Sequence, residues 1–483
     1  MINVIDHPYV FIGGQWVRPH STEVITVYSA NTEQVIGSVP ATDMVDVNAA
    51  VRSARTAFDH TSGWRHWEPA ARAEALRAFA DALDKRAEEI AIRVSDQNGM
   101  PITQAQSGDS RMPGRVLRYY TDLVQDEVDE ETRASSTGGR TLVRRVPLGV
   151  VAGVVPWNYP NILSAMKYAP ALAAGCTIVL KPSPETVLDA ILVADAALEA
   201  GLPPGVLNIL PGGVETGAHL VAHPGVDMVT LTGSTAAGRQ VGEICGRLLR
   251  PVTLELGGKS AAVILDDADL DLRGVGAQLT PALFGNNGQT CFLSSRVLAP
   301  RSRYREVVET IAELAGSLTV GNSLDPATQV GPLVSERQRD RVEGYIAKGS
   351  QEGARLVVGG GRPGEQETGW FVEPTVFADV DNTSTIAREE IFGPVVTITP
   401  YTDDEDAVRI ANDSEYGLGG TVWTTDTDRG LDVARRIESG TVGLNGYRPD
   451  LRSPMPAIKA SGLGVKLGLE GLRSYQGFRS VYL

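Results

Sequence analysis

Cysteine is scarce in this sequence. Cys176, Cys245 and Cys291 are the three in 483 residues. They give no disulfide framework and point to a reducing, cytoplasmic compartment. Long apolar runs are also absent: none approaches the roughly 18 residues of a membrane span. Between Met1 and Trp16 no basic segment precedes an apolar one, so no secretory signal is read. Basic residues are in deficit, 44 Lys and Arg against 59 Asp and Glu. The resulting net charge of −15 argues against nucleic acid or anionic membrane as partners. Histidine is limited to six residues. His219 and His223 have the i, i+4 spacing of a zinc pair, but His-Glu-x-x-His is missing and no metal site is expected. The acidic stretch Asp266 to Asp271 lacks the glycine and glutamate of a calcium loop and reads as a solvated turn.

What is present is the balance of an ordinary globular protein, 42% hydrophobic and 21% charged. The length suggests about three domains. Leu76, Phe79, Leu83, Ala87, Ile90 and Val94 recur at helical spacing, which predicts one helix stopped by Asn98-Gly99 and Pro101. The polar stretch from Gln125 to Arg145 reads as a linker or an exposed hairpin. From Leu148 onward, apolar runs at 148–155, 177–180, 206–210, 226–231, 252–256 and 261–265 alternate with helical stretches at 186–200 and 235–249. This predicts an α/β fold with a buried parallel sheet, whose ligand sites lie at the carboxyl ends of the strands. A second α/β region spans 281–445, with helices at 303–317 and 334–352 and strands at 355–359, 395–401 and 421–424. The tail, 446–483, is Gly-rich with one short helix near 469–476.

Three features bear on chemistry. Gly233 to Gly238 follows a strand and opens a helix, but Arg239-Gln240 stands where a P-loop needs Lys-Ser/Thr. Gly258-Lys259-Ser260 lacks the first P-loop glycine, since Thr253 is there, and no G-x-G-x-x-G follows a strand. Gly233 then marks either a helix N-terminus that binds an anion or a plain tight turn. Cys176 and Cys245 lie in core-like contexts. Cys291 follows Asn286-Asn287-Gly288-Gln289-Thr290, a polar stretch poor for a core, and is either a nucleophile or a packed thiol. Glu255 ends an apolar strand. It is either a buried general base or an edge-strand carboxylate in water.

Six spaced motifs together resemble the aldehyde dehydrogenase superfamily over nearly the whole chain. They are Pro156-Trp157-Asn158-Tyr159-Pro160, Lys181-Pro182-Ser183, Gly233-Ser234-Thr235, Glu255-Leu256-Gly257-Gly258-Lys259, Gly288-Gln289-Thr290-Cys291 and Glu390-Ile391-Phe392-Gly393-Pro394. The resemblance implies a Rossmann-like dinucleotide-binding domain (1–126 and 147–256), a second α/β catalytic domain (257–445) and a small β-hairpin oligomerisation element (127–146 and 446–483). It implies a homodimer or homotetramer. Cys291 resembles the nucleophile, Glu255 the base that activates water, and Asn158 the amide that holds the oxyanion with the Cys291 backbone N–H. Lys167 resembles a lysine near that base. Pro156, Trp157, Lys181, Ser183, Gly213, Gly233, Ser234, Leu256, Glu390 and Phe392 resemble cofactor-binding positions. Tyr159, Leu163, Met166, Thr290 and Phe292 match the aldehyde channel.

The implied reaction is NAD-dependent oxidation of a small-molecule aldehyde to the free acid, since family members that transfer the acyl group to coenzyme A typically lack the glutamate. NADP is the alternative cofactor, because Pro184 stands where the family often has a ribose-binding glutamate and Glu185 comes one position later. The family's Pro-Phe-Gly-Gly-x-Lys-x-Ser-Gly reads Pro454-Met455-Pro456-Ala457-Ile458-Lys459-Ala460-Ser461-Gly462, and its Gly-Arg-Glu reads Gly464-Val465-Lys466. The channel positions are apolar or aromatic with no Arg or Lys to clamp a substrate carboxylate, which implies an aliphatic or aromatic aldehyde. Asp450 and Arg452, before Pro454, are the polar exceptions. Two other readings compete: a non-catalytic scaffold that keeps the fold, and a thiolate esterase.

Overall fold

The computed structural model describes residues 4–127 and 129–483. Residues 1–3, part of the segment read for a signal, and Val128, inside the predicted 127–146 element, lie outside the described residues. Five parallel strands form the centre of an eight-stranded sheet, in the order Val252–Glu255, Met228–Thr232, Val150–Val154, Thr177–Lys181 and Leu207–Ile209. Nearly every residue in them is buried, which is why their sequences are continuous apolar runs instead of alternating ones. Helices Pro160–Ala173, Leu188–Glu199 and Thr235–Arg247 connect them. The chain leaves Val150–Val154 first toward one edge and later returns to its other side at Met228–Thr232. That reversal is the switch point at which such sheets bind ligands.

A seven-stranded sheet holds Ala261–Ile264, Arg296–Pro300, Thr375–Ala378, Val395–Tyr401 and Thr421–Trp423 in parallel arrangement. The apolar run at 261–265 therefore belongs to this second sheet, not to the first. The strand Arg296–Pro300 gave no clean apolar signal because it opens on a buried arginine. Arg296 donates to the carbonyls of Lys259, Ile410 and Ala411 and to Asn382. Helices Asp404–Asn412 and Thr427–Arg436 also escaped notice. Both are short and strongly charged, and each is capped by an aspartate, Asp403 or Asp426.

The helix predicted through Leu76 and Val94 is two helices, Pro69–Lys85 and Ala87–Asn98. Arg86 turns out of helical geometry between them (φ −99°, ψ 0°). The apolar spacing does not register the break because Leu76, Phe79, Leu83, Ile90 and Val94 all pack into one core cluster. The stop at Gly99 is as expected. Its φ is +79°, and a Cβ there would lie 2.0 Å from the Pro332 carbonyl oxygen.

The stretch after Gln125 forms a hairpin, Glu130–Ala134 with Arg140–Pro147, and the tail adds a third strand, Gln476–Tyr482. The tail is not confined to that element. Gly462–Leu463 pairs with the edge strand Val252–Glu255, and Met455–Pro456 pairs with Val465–Lys466. Among the described residues no helix is long and apolar enough to cross a membrane. No cluster suited to a metal occurs among them either. Asp267 is instead held by Thr424 and Thr425, and the acidic turn is clasped by Arg429.

Candidate active site

A cavity of about 510 Å³ opens at the switch point. The segment after Val150–Val154 supplies Pro156, Trp157 and Asn158; the segment after Met228–Thr232 supplies Gly233 and Ser234. Leu256, Glu390, Phe392 and Cys291 complete its predicted lining. Ser234 caps the helix Thr235–Arg247 by accepting from the Ala237 N–H, so the remaining N-terminal amides present a positive end there. At Gly233, on the cavity wall, an added Cβ would meet nothing closer than 3.8 Å. Phe392 adopts a left-handed φ of +62° and sets its ring edge-on to Trp157 at 5.2 Å. A helix N-terminus, a glycine floor and aromatic walls suit a pyrophosphate-bearing dinucleotide.

Cys291 is half-buried on the cavity wall, whereas Cys176 and Cys245 are buried core residues. The polar stretch before Cys291, poor for a core by composition, is nonetheless core: Asn286, Asn287 and Gln289 are fully buried. Their burial is possible because their amides find backbone partners, Asn286 Oδ1 alone having none. The Asn287 amide donates to the carbonyls of Gly99 and Pro332 and accepts from the Gly331 N–H. Gln289 donates to the Asn98 carbonyl and accepts from the Val334 N–H. Asn286 donates to the Asn158 carbonyl. At Gly288, with φ +77°, a Cβ would lie 2.0 Å from Gly393, so only glycine lets the two motifs touch. The side chain of Asn158 donates one N–H to the Gln289 carbonyl at 2.9 Å, which aims the amide at the Cys291 loop.

Burial pushes the Cys291 thiol up to about 12, with the charges of Glu255 and Glu390 adding to the effect. Glu255 is not an edge carboxylate in water: it is 5% exposed. Its Oε2 lies 3.4 Å from Lys466 Nζ, and its Oε1 is buried without a partner. Lys167 and Lys466 both donate to Thr232 Oγ1, at 2.7 and 2.6 Å. Burial, followed by the charge of Lys466, holds the Lys167 ammonium well below the usual lysine range.

Glu390 accepts from the Gly258 N–H at 2.9 Å, and burial raises its carboxyl to about 7. Lys181, Ser183 and Gly213 do not line the cavity. Lys181 donates to the carbonyls of Pro182 and Gly212, and Gly213 caps the helix Val214–Ala222. Ser183 donates to Glu185, which pairs with Arg337 on the cavity wall.

Toward the expected aldehyde channel, Tyr159 Oη meets Thr290 Oγ1 at 2.8 Å. Phe292 stacks on Tyr447 with centroids 4.6 Å apart. Met166, Cys291 and Phe292 pack against a cluster of Leu418, Met455, Ala457 and Leu467. Leu163, with Tyr159, packs against the core of the first sheet. A second cavity of about 280 Å³ is walled by Tyr447, Met455 and Leu467, and also by Arg448 and Asp450. An arginine therefore does reach a cavity next to this cluster. Its position in an irregular loop gave the sequence no register by which to place it. Arg452 is not on that wall; its backbone N–H is held by Asp450.

The sequence profile of the "Aldehyde dehydrogenase family" matches residues 16–481. The chain belongs to the aldehyde dehydrogenase family. A relative from Castellaniella defragrans named geranial dehydrogenase is 55% identical over 99% of both chains. A phenylacetaldehyde dehydrogenase from Pseudomonas fluorescens is 38% identical, over 98% of this chain and 95% of the relative. Among solved structures, a Mycobacterium tuberculosis aldehyde dehydrogenase complexed with NAD+ superposes with a TM-score of 0.96 at 46% identity, covering 100% of this chain and 99% of that one. A Pseudomonas syringae aldehyde dehydrogenase complexed with NAD+ and octanal gives 0.94 at 38% identity, over 98% and 96%. The aldehyde dehydrogenase fold thus accounts for both parallel sheets. Sequence reasoning gave no site role to Thr232, Gln289, Arg337 or Tyr447. Thr232 sits beside a recognised motif and Gln289 within one, but the burial that makes them matter is a tertiary property.

Proposed function

We propose that this aldehyde dehydrogenase oxidises an apolar aldehyde to its carboxylic acid with NAD+, through a covalent adduct on Cys291. The observation that carries the reading is the placement of Cys291. Its thiol lines the switch-point cavity and packs against the apolar cluster around Met455 and Leu467. The sulfur can thus meet a dinucleotide on one side and an aldehyde tail on the other.

The sulfur adds to the aldehyde carbon as its proton passes to solvent water. The second N–H of the Asn158 amide and the Cys291 backbone N–H are the donors proposed for the resulting oxyanion. The dinucleotide, when bound, supplies the hydride acceptor and a positive charge. The thioester left on Cys291 is open to hydrolysis, and Glu255 Oε1, buried without a partner, is the proposed acceptor for the water proton. Lys167 sits behind this base through Thr232. Pro156, Trp157, Gly233, Ser234, Leu256, Glu390 and Phe392 hold the cofactor in this reading, with Lys181, Ser183 and Gly213 farther along its path. Glu185, fixed by Ser183 and Arg337, opposes an additional phosphate there and favours NAD over NADP.

Tyr159, Leu163, Met166, Thr290 and Phe292 form the aldehyde side. An apolar substrate fits this lining, and relatives named for geranial and phenylacetaldehyde support the same class. The exposed strand Gln476–Tyr482, with Phe478 and Tyr482 largely in solvent, supports assembly into a homodimer or homotetramer through residues 127–146 and the tail. Three free cysteines fit a reducing, cytoplasmic location. No observation favours the scaffold or esterase readings.

The test is to mix the purified protein with NAD or NADP and aldehydes from acetaldehyde to terpenoid and aromatic ones, and to follow reduced cofactor. Turnover that rises with apolar size and prefers NAD is expected. No turnover with any pair, despite cofactor binding, overturns the function.

A further inference from the structure

Lys466 has no task in the reaction described so far, yet it touches the proposed base. We propose that Lys466 is a positioning residue for the hydrolytic step: its cation anchors the Glu255 carboxylate and, across the shared Thr232 hydroxyl, keeps Lys167 a neutral amine that can receive a proton. The inference rests on the reading of Glu255 as the base that activates water.

The geometry comes from strand register. Glu255 ends the edge strand and pairs with Gly462, and the tail then folds back so that Val465–Lys466 pairs with Met455–Pro456. This delivers Lys466 to Glu255 Oε2 and to Thr232 Oγ1. Thr232 lies opposite Glu255 on the neighbouring strand. Lys167 comes from the helix Pro160–Ala173 and reaches the same hydroxyl oxygen. All four side chains are buried.

Two amines and one carboxylate share this dry space. Two ammonium groups would leave a net positive charge, which burial penalises heavily. One lysine must therefore be neutral until the Cys291 thiolate released in the hydrolytic step offsets a second cation. Lys466 is the one in ion-pair contact with Glu255, whereas Lys167 makes no ion pair among the described residues. Lys167 is thus the neutral member. Both lysine nitrogens lie within hydrogen-bond distance of Thr232 Oγ1, and with Lys167 neutral its contact can reverse, Thr232 accepting from Lys466 and giving its own hydrogen to the Lys167 nitrogen.

In the hydrolytic step the water oxygen bonds to the thioester carbon. Its O–H bond breaks, and the proton goes to Glu255 Oε1. The carbon–sulfur bond breaks with its electron pair passing to Cys291. Lys466 then gives a proton to Thr232 as Thr232 gives its own to the Lys167 amine, and the Lys466 amine left behind takes the proton of the Glu255 carboxyl. The net result is one proton moved from the carboxyl to Lys167, with Glu255 again a carboxylate. The other ionisable groups near this cluster are Cys291, Glu390, Tyr447 and Tyr475. Burial keeps the thiol and both phenols protonated, and Glu390 lies across the cavity at the Gly258 N–H.

The test is the pH profile of the steady-state rate, with the burst of reduced cofactor measured alongside. In Lys466→Gln the repulsion on Lys167 is gone. Lys167 then regains its proton at higher pH, and the acid limb should move up by about one pH unit or more. Lys466→Glu should move it in the same direction and serves where Lys466→Gln does not fold. Lys466→Arg keeps the cation and should keep the limb in place. Superposed profiles for Lys466→Gln or Lys466→Glu and the parent overturn the proposal. Glu255→Gln separates the two levels: it should retain the burst and slow the steady state. A full steady-state rate in Glu255→Gln sinks the underlying reading instead.

Discussion

Two buried polar clusters flank Cys291 and obey different rules. In the amide cluster of Asn98, Asn286, Asn287 and Gln289 the partners are largely backbone atoms and the groups are neutral. In the cluster of Glu255, Lys167, Lys466 and Thr232 the groups are ionisable, two donors share one oxygen, and one carboxylate oxygen has no partner. A neutral network of this kind, even with Asn286 Oδ1 unpartnered, has few low-energy arrangements and fixes geometry. A crowded, incompletely satisfied charged one has several proton arrangements close in energy, which suits it to moving protons. The fold thus separates holding the proposed nucleophile from operating on what it would bind.

Removing the proposed nucleophile gives the largest expected effect on turnover and the sharpest contrast. Cys291→Ala should abolish dehydrogenase turnover while leaving the melting temperature within a few degrees of the parent, since the thiol donates to neither cluster. Residual turnover at the parent rate would remove Cys291 from the mechanism. Asn287→Ala should do the opposite to the fold. It strips partners from two carbonyls and one N–H, at a cost of about 2–4 kcal/mol in denaturant unfolding, and turnover should fall with it. A stability loss within 0.5 kcal/mol, by the same order-of-magnitude scale, would show the amide cluster to be less rigid than its bonds suggest.

The smallest expected effect tests whether buried charge always serves chemistry. Asp109 and Asp189 are buried away from the cavity, and Asn161 bridges them at the start of the helix Pro160–Ala173. Burial raises Asp109 to about 6 and Asp189 to about 7. A carboxyl raised in the folded state binds its proton more tightly there than in the unfolded chain. Its stabilising contribution is therefore complete below the ordinary carboxylate range and is lost as pH rises through 6 and 7. Unfolding free energy should fall over that window by at most about 1.4 kcal/mol per pH unit for each proton. Asp189→Asn should flatten the slope without moving the pH profile of turnover. A slope unchanged in that variant would place the titration elsewhere.

Much of the first sheet was legible because its strands are buried on both faces and so read as apolar runs. The second sheet was less so: Arg296 opens one of its strands, and two charged helices lie between others. The helix break at Arg86 left no trace because both halves feed one core. At the site, motif resemblance placed Cys291, Asn158 and Glu390 on one cavity. It could not show that Asn286 and Asn287 are core residues, since their partners at Gly99, Gly331 and Pro332 are remote in sequence. Nor could it show what Lys466 touches, because the pairing of Gly462 with Glu255 is a matter of register between segments that share no local pattern.

That pairing also sets an order in time. Thr232 and Lys466 are separated by 234 residues, so during synthesis the base and its threonine emerge long before the lysine that holds them. At about 5–20 residues per second the interval is roughly ten to fifty seconds. Throughout it the strand Val252–Glu255 has an open edge, and Glu255 has no cation. On the proposed role of Glu255, hydrolytic competence is acquired last, when the tail closes that edge.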